Sequence, residues 1–405
     1  MTSTATATGR ASDPTGRGGS RREVVAALAV TTTVSYGVLY YAFSALLEPM
    51  RLELRISATA ATGALTLASL ISAVLAIPVG RVLDARGGHG VMSGGSVIAA
   101  IAVLAWSQVH DVVQLYAVFV AIGIASAMVL YPPAFAVVVA VTTPRRRTGA
   151  LLGITLVAGF ASSIFIPLTG QLIHSYGWRR SLVVLAVIIA VVTVPLHTFA
   201  LRRTRPGVAV VKSQAAGSPA EVLRDFGFWL LAVAFVLHTG ALAVIGVHLV
   251  TYLTKLGHSP TTAATLAGLL GLLSVTGRIL VTVLRRWLPM ATATAVIVTA
   301  QGAALGLLPL AGRSTSGAAA CLIAFGLGFG VASIAKPAIL LDRYGDRGYA
   351  TIAGILGTPT TIAGATAPLA AAALATAVGY TPLVLSAATA CVIAGIGLAA
   401  THVYR

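Results

Sequence analysis

A charged residue inside a long apolar segment is the clearest candidate for chemistry in this sequence. Arg278 lies about seven residues before the polar end of its apolar run, so its Cα would lie on the order of 10 Å inside a helical span. None of the acidic residues lies within an apolar run to neutralise it. A guanidinium there could bind a carboxylate through two charge-assisted hydrogen bonds, or it could extend to the headgroup layer.

Other polar side chains lie in the apolar runs as well. Tyr36, Tyr40 and Tyr131 could present hydroxyls to a cavity, although aromatic residues in spans are more often packing residues or interface anchors. His238 lies near the middle of its run and could carry a proton, because the histidine pKa is near neutrality. His248 lies near the outer end of that run. A lone membrane histidine is more often a hydrogen-bonded packing residue.

The elements that must position these residues are membrane helices. The chain of 405 residues is 57% hydrophobic and 9% charged, whereas a soluble protein carries roughly 25% charged residues. Hydropathy gives twelve apolar runs of about the length needed to cross a bilayer, and none has the alternation of a membrane β-barrel. The sequence therefore predicts an all-α polytopic membrane protein with twelve transmembrane helices.

The longest polar gap divides the runs into two sets of six. We expect a disordered cytosolic tail over residues 1–22, six-helix bundles over 23–201 and 226–405, and a cytosolic linker over 202–225. A transit peptide is the alternative for the tail. Two matched bundles favour alternating access about a central site, for which one chain suffices.

Basic residues predict the orientation in the membrane. With a cytosolic amino terminus, the inward loops and tails hold roughly three times as many Lys and Arg residues as the outward loops. We therefore expect a multi-pass protein of the plasma membrane with both termini in the cytosol. Lys336 lies near the inner end of the tenth run, and we expect its side chain to extend to the headgroups.

Several functional classes are disfavoured. The net charge of +17 would suggest nucleic acid as a partner in a soluble protein. However, the sequence has no basic amphipathic helix for nucleic-acid recognition and no basic patch with interspersed aromatic residues. The apolar runs contain no acid pair, metal-ligand set or activated nucleophile, and the chain has no Walker loop. Cys321 and Cys391 both lie in apolar runs, which argues against a disulfide framework. We expect no enzyme, no cofactor and no metal.

A charged, glycine-rich break separates the second and third runs. Residues 80–90 read GRVLDARGGHG, and such a break must lie in water. It resembles the signature loop of major facilitator superfamily transporters, G-x-x-x-D-R/K-x-G-R/K-R/K. Gly80, Asp84 and Gly87 fit that pattern, whereas Arg86 stands one place late for the basic residue.

The twelve runs, the loop and the basic linker together resemble the major facilitator fold of two pseudo-symmetric six-helix bundles. Within the superfamily, short patterns resemble the monocarboxylate-transporter and oxalate:formate-antiporter branch. They are Ser35-Tyr36-Gly37, Gly177-Trp178-Arg179, Val247-His248-Leu249-Val250, Gly277-Arg278 and Asp342-Arg343-Tyr344-Gly345. The resemblance implies that Arg278 binds a substrate carboxylate. It also implies that Asp84 meets the start of the eleventh helix, near 348–352, and helps to hold an outward-open state.

The chain also departs from that branch. It has no lysine in the first span and none in the eleventh, and Ser274 stands where the proton-coupled members carry an aspartate. Proton coupling through a buried carboxylate and binding of a doubly charged acid are therefore less expected. The sequence favours a secondary carrier of a small organic anion of the monocarboxylate type, with proton coupling left open. The alternative is an efflux pump for a drug-like compound or natural product.

Overall fold

The computed structural model describes residues 17–202 and 219–401, which fold into helices joined by short turns. Ten continuous helices among the described residues are long and apolar enough to cross a bilayer. One of them, Arg146–Leu201, is divided at Gly177, where φ is 77°. The prediction of an all-helical polytopic membrane protein with two six-helix bundles is confirmed. The spans, numbered 1 to 12, are residues 17–53, Ala58–Arg86, Gly88–Trp106, Val112–Val141, 144–176, 178–201, Phe226–Lys255, Pro260–Leu284, Met290–Ala311, 315–344, Tyr349–Val378 and Tyr380–Ala400.

The two expected polar segments are only partly described. The first helix begins at Arg17, inside the predicted tail, and a short helix, Pro219–Arg224, lies inside the predicted linker. Residues 1–16, 203–218 and 402–405 lie outside the described residues, and most of both segments lies there.

Four spans are interrupted near their middle, and one of them is span 5, whose helix is interrupted at Phe160. Span 1 contains a π-helical turn over Gly37–Tyr41, and such turns are frequent at functional sites. Span 4 breaks at Leu130, just before Pro132 and Pro133, which lack the N–H groups that a continuous helix would use. Span 10 consists of two helices separated by residues 327–331. These interruptions set the positions of the candidate site residues.

The two ends of the bundle are named here by their acidic residues. The Asp84 end carries the loop between spans 2 and 3, and the Glu53 end is the opposite one. At the Glu53 end, the Glu53 carboxylate accepts hydrogen bonds from Trp178 Nε1 at 2.6 Å and Arg179 Nε at 2.8 Å. This contact ties span 6 to span 1.

A second carboxylate ties the spans of the second half at the Asp84 end. Asp225 caps span 7 by accepting from the Gly227 N–H at 2.9 Å, and it also accepts from the Tyr344 hydroxyl at 2.6 Å. Burial alone would raise the pKa of Asp225, but these hydrogen bonds and the charge of Arg343 outweigh it and hold the pKa below its usual value. The carboxylate is therefore charged at neutral pH, as a cap and ion-pair partner must be.

Candidate functional site

A contact between the two halves closes the Asp84 end. One oxygen of the Asp84 carboxylate accepts a hydrogen bond from the Ala350 N–H at 3.1 Å. The other accepts from the Thr351 N–H at 2.8 Å and from the Thr351 hydroxyl at 2.6 Å. We call this group of contacts the Asp84 clasp. It is the contact that the signature loop led us to expect, while its part in conformational switching remains a prediction.

The clasp is explained by the start of span 11. That helix begins at Tyr349 after Gly348, which has no side chain to cap it. The first N–H groups of a helix lack partners within the helix and carry partial positive charge. Asp84 supplies the missing cap from the other half of the molecule.

The remaining residues of the signature loop have distinct positions. A Cβ on Gly80 would lie 2.5 Å from the Ala350 oxygen, so only glycine allows span 2 to approach span 11 this closely. Gly87 ends span 2 with φ of 78°, a backbone conformation that favours glycine. Arg86 lies in the last turn of span 2 and is exposed, where its charge complements the helix dipole.

Further polar contacts link the halves at the same end. Arg147 of span 5 pairs with Asp346 at 2.6 Å, and Arg285 of span 8 donates a hydrogen bond to the Thr148 hydroxyl. Deeper in the bundle, the Thr358 hydroxyl donates to the Ala73 carbonyl at 2.8 Å. Within residues 17–202 and 219–401, no hydrogen bond or ion pair joins the halves at the Glu53 end. The polar links between the halves therefore close one end only.

A cluster of tyrosines lies above this closed end, in the first half. The rings of Tyr36 and Tyr131 have centroids 4.6 Å apart, and Phe135 stacks on Tyr131 at 5.1 Å. Tyr41 lies 6.5 Å from Tyr36 and 5.3 Å from Tyr40, which is 48% exposed. The π turn of span 1 and the break in span 4 bring these rings together.

Arg278 of the second half reaches span 5 of the first half. Its Nη1 donates a hydrogen bond to the Thr155 carbonyl of span 5 at 2.5 Å, so the guanidinium bridges the halves. Its Nε is buried and has no hydrogen-bond partner among the described residues. The guanidinium thus keeps an unused donor in the interior.

The depth of Arg278 contradicts the snorkelling interpretation. Thr155 lies about 17 Å from the Asp84 end of span 5 at 1.5 Å per residue. Helical side chains lean towards the amino terminus of their helix, and span 8 runs from the Glu53 end to the Asp84 end. The guanidinium therefore points into the membrane, away from the nearer headgroup layer.

The two histidines do not join this site. His238 is fully buried, and its Nε2 lies 2.9 Å from the Gln301 side-chain oxygen of span 9. His248 Nε2 lies 3.1 Å from the Pro368 carbonyl, and its ring lies 5.9 Å from Tyr380. Both rings are thus packed within the second half. The structure places neither one with Arg278 and the tyrosines.

The structure contradicts the headgroup position that the sequence predicted for the Lys336 side chain. Its ammonium lies 3.5 Å from the Thr239 hydroxyl, about 20 Å from the Asp84 end of span 7 at 1.5 Å per residue. It also lies 5.5 Å from the ring centroid of Phe235. Span 10, like span 8, runs towards the Asp84 end, and helical side chains lean towards the amino terminus of their helix. The Lys336 side chain therefore points away from the nearer headgroup layer.

These features define a membrane transporter, since a twelve-span helical bundle with one end closed between its halves is suited to alternating access. Residues 28–358 match the sequence model of the Major Facilitator Superfamily, and the chain belongs to this family.

Solved structures share the fold at low sequence identity. The human organic anion transporter MFSD10 (TETRAN) is 15% identical, with a TM-score of 0.71 over 93% of this chain and 99% of that one. FucP, the E. coli fucose:proton symporter, is 15% identical in its outward conformation, with a TM-score of 0.74 over 94% of this chain and 99% of that one. A bacterial homologue of the iron transporter ferroportin, in an outward-facing state, is 16% identical, with a TM-score of 0.75 over 94% and 99%. No curated protein matches the sequence significantly.

Replacing Asp84 by asparagine should loosen the closed end. The substitution removes the charge that strengthens three hydrogen bonds, and a charged hydrogen bond contributes about 1.5–3 kcal/mol. We expect the ratio of open to closed molecules to rise about tenfold. The measurement is the spin-label distance between Ala85→Cys and Arg347→Cys, with the buried Cys321 and Cys391 replaced by alanine.

The matched control for this measurement is Arg86→Gln. Arg86 is exposed and lies in the same loop. The Arg86→Gln variant should leave the distribution of spin-label distances unchanged. An equal shift in both variants, or no shift in Asp84→Asn, would contradict the role assigned to the clasp.

Proposed function

We propose that this transporter carries a small organic anion across the plasma membrane, and that Arg278 binds the anionic group. The observation that carries the proposal is a guanidinium placed deep between the halves with no acidic partner. Every acidic residue of the sequence lies outside the apolar cores of the spans. A bound carboxylate would supply the missing charge through charge-assisted hydrogen bonds.

The position of Arg278 also suggests how binding would couple to movement. The guanidinium donates a hydrogen bond to the Thr155 carbonyl of the opposite half. An anion that competes for the guanidinium would change a contact between the halves. A ligand shifts a conformational equilibrium only by its differential affinity for the two states, and this contact provides such a difference.

The orientation of the bundle forms part of the proposal. The basic loops favour placing the Asp84 end in the cytosol, with both termini on that side and the predicted linker between residues 202 and 225. In that orientation the structure is closed towards the cytosol. One chain contains both halves of the site, so a monomer suffices for the cycle.

Export of a drug-like compound or natural product is the second candidate. The ring cluster around Tyr36, Tyr131 and Phe135 favours a substrate with an apolar or aromatic part. The similar structures bear the names of an organic anion transporter, a fucose:proton symporter and a homologue of an iron transporter. The shared fold therefore does not select between the two candidates.

Replacing Arg278 by glutamine should abolish uptake of the transported anion into vesicles. Loss of a charged hydrogen-bonded partner costs about 1.5–3 kcal/mol for each bond, so uptake should fall about a hundredfold for a two-pronged contact. The control is Arg286→Gln, an exposed arginine at the end of the same span, which should leave uptake unchanged. Equal uptake by the parent and Arg278→Gln would contradict the anion proposal. Raised drug resistance that is insensitive to this substitution would favour the export candidate.

The proposed orientation predicts which loops an impermeant reagent can reach. Gly90 is exposed at the Asp84 end. A cysteine at this position (Gly90→Cys) should react with an impermeant maleimide in permeabilised cells but not in intact cells. Arg313→Cys, exposed at the Glu53 end, should react in intact cells. Cys321 and Cys391 are buried and give a low background. The reverse labelling pattern would overturn the orientation.

A further inference from the structure

The second half contains two cations at the same depth. Arg278 and Lys336 each lie seven residues before an arginine at the Asp84 end of their span, Arg285 and Arg343 respectively. Both Cα atoms are therefore about 10 Å inside that end at 1.5 Å per residue. Both side chains lean further into the membrane, as the contacts with Thr155 and Thr239 show.

The spans that carry these cations are neighbours along their length. At the Asp84 end, Arg285 of span 8 pairs with Asp342 of span 10 at 2.8 Å. Deeper in the bundle, a Cβ on Gly277 would meet the Leu327 carbonyl, so the backbones lie in contact there. A Cβ on Gly330 would lie 2.8 Å from Arg278 Nε. Span 10 thus carries Lys336 and also forms one wall around the Arg278 guanidinium.

The surroundings of Lys336 do not neutralise it. The Thr239 hydroxyl lies at the outer limit of hydrogen bonding, at 3.5 Å, and the Phe235 ring offers a cation–π contact at 5.5 Å. A weak hydrogen bond and a cation–π contact offset only part of the cost of placing a cation near the bilayer centre. Asp342, the nearest acid along span 10, is bound to Arg285 at the end of the bundle. Lys336 is partly exposed.

We propose that Lys336 forms a second anion subsite beside Arg278 and that the substrate is an organic dianion with two separated anionic groups. This inference rests on the proposed function and adds the charge of the substrate. A monoanion would neutralise only one of two uncompensated cations, whereas a dianion would neutralise both. The sequence disfavoured a doubly charged substrate because the eleventh span has no lysine, whereas the structure places a lysine of span 10 inside the bundle.

The side chains assign a different chemical role to each subsite. Arg278 reaches span 5 and offers a planar fork, which suits a carboxylate. Lys336 reaches span 7 and offers a compact ammonium beside the Thr239 hydroxyl. A substrate that binds both would lie across the face formed by spans 7, 8 and 10.

The test compares monoanions and dianions of equal chain length. Binding of butyrate and succinate, and of octanoate and suberate, is measured by titration calorimetry on the full chain in detergent. Lys336→Gln should weaken binding of the dianions about tenfold or more and change binding of the monoanions less than about threefold. Lys336→Arg keeps the charge and should retain dianion binding, which separates loss of charge from loss of folding.

The control is Lys255→Gln. Lys255 also lies over an aromatic ring, with its ammonium 4.5 Å from Tyr380, but at the Glu53 end of span 7. It should leave all four affinities unchanged. Monoanion binding with no dianion preference, or equal weakening of both classes in Lys336→Gln, would overturn the second subsite and leave the anion proposal standing. Absence of binding by all four acids would overturn both.

Discussion

The proposed anion site depends on the cost of placing positive charge in a bilayer without a matching negative charge. Arg278 and Lys336 both point their charged groups towards the middle of the membrane, and no span contributes an acid to its apolar core. Each of these cations destabilises its inserted helix, and the cost at a helix centre is roughly 2.5–3.5 kcal/mol. The simplest compensation is a solute that brings the missing charge.

The closed end also depends on matching opposite charges, but there a negative carboxylate of the protein binds the positive end of a helix. The helix terminus at Ala350 and Thr351 presents N–H groups, and the Asp84 carboxylate binds them across the interface. Water can replace a carboxylate at an exposed helix terminus, so the contact is reversible. Shifting an equilibrium from 1:99 to 99:1 needs about 5.5 kcal/mol, and each of the three charged hydrogen bonds of the clasp would contribute about 1.5–3 kcal/mol. The Arg147–Asp346 ion pair adds a further contact between the halves at the same end.

Much of the architecture could be predicted from the sequence because it follows from length, apolarity and one loop pattern. The spans and the helical class follow from such local signals, whereas the meeting of Asp84 with span 11 was implied by the resemblance of the loop to the superfamily signature. The errors concern side-chain direction and tertiary contacts. Lys336 was placed by its distance from the nearer interface, whereas the lean of helical side chains towards the amino terminus decides where its ammonium lies. That rule was available from the sequence once the direction of span 10 had been assigned.

Other features could not have been read from the chain alone. The partner of His238 is Gln301, more than sixty residues away, and a single histidine in an apolar run gives no sign of it. The tyrosine cluster requires a π turn in span 1 and a break in span 4, of which only the second has a clear signal in Pro132 and Pro133. Contacts between distant segments depend on packing that no local pattern encodes.

The most direct test of the central claim is an experimental structure of the protein in a lipid nanodisc with a bound organic acid. The account predicts density for the anion within hydrogen-bonding distance of the Arg278 guanidinium, in the interior and between the halves. A guanidinium extended into the headgroup layer, or paired with a carboxylate of the protein itself, would contradict it.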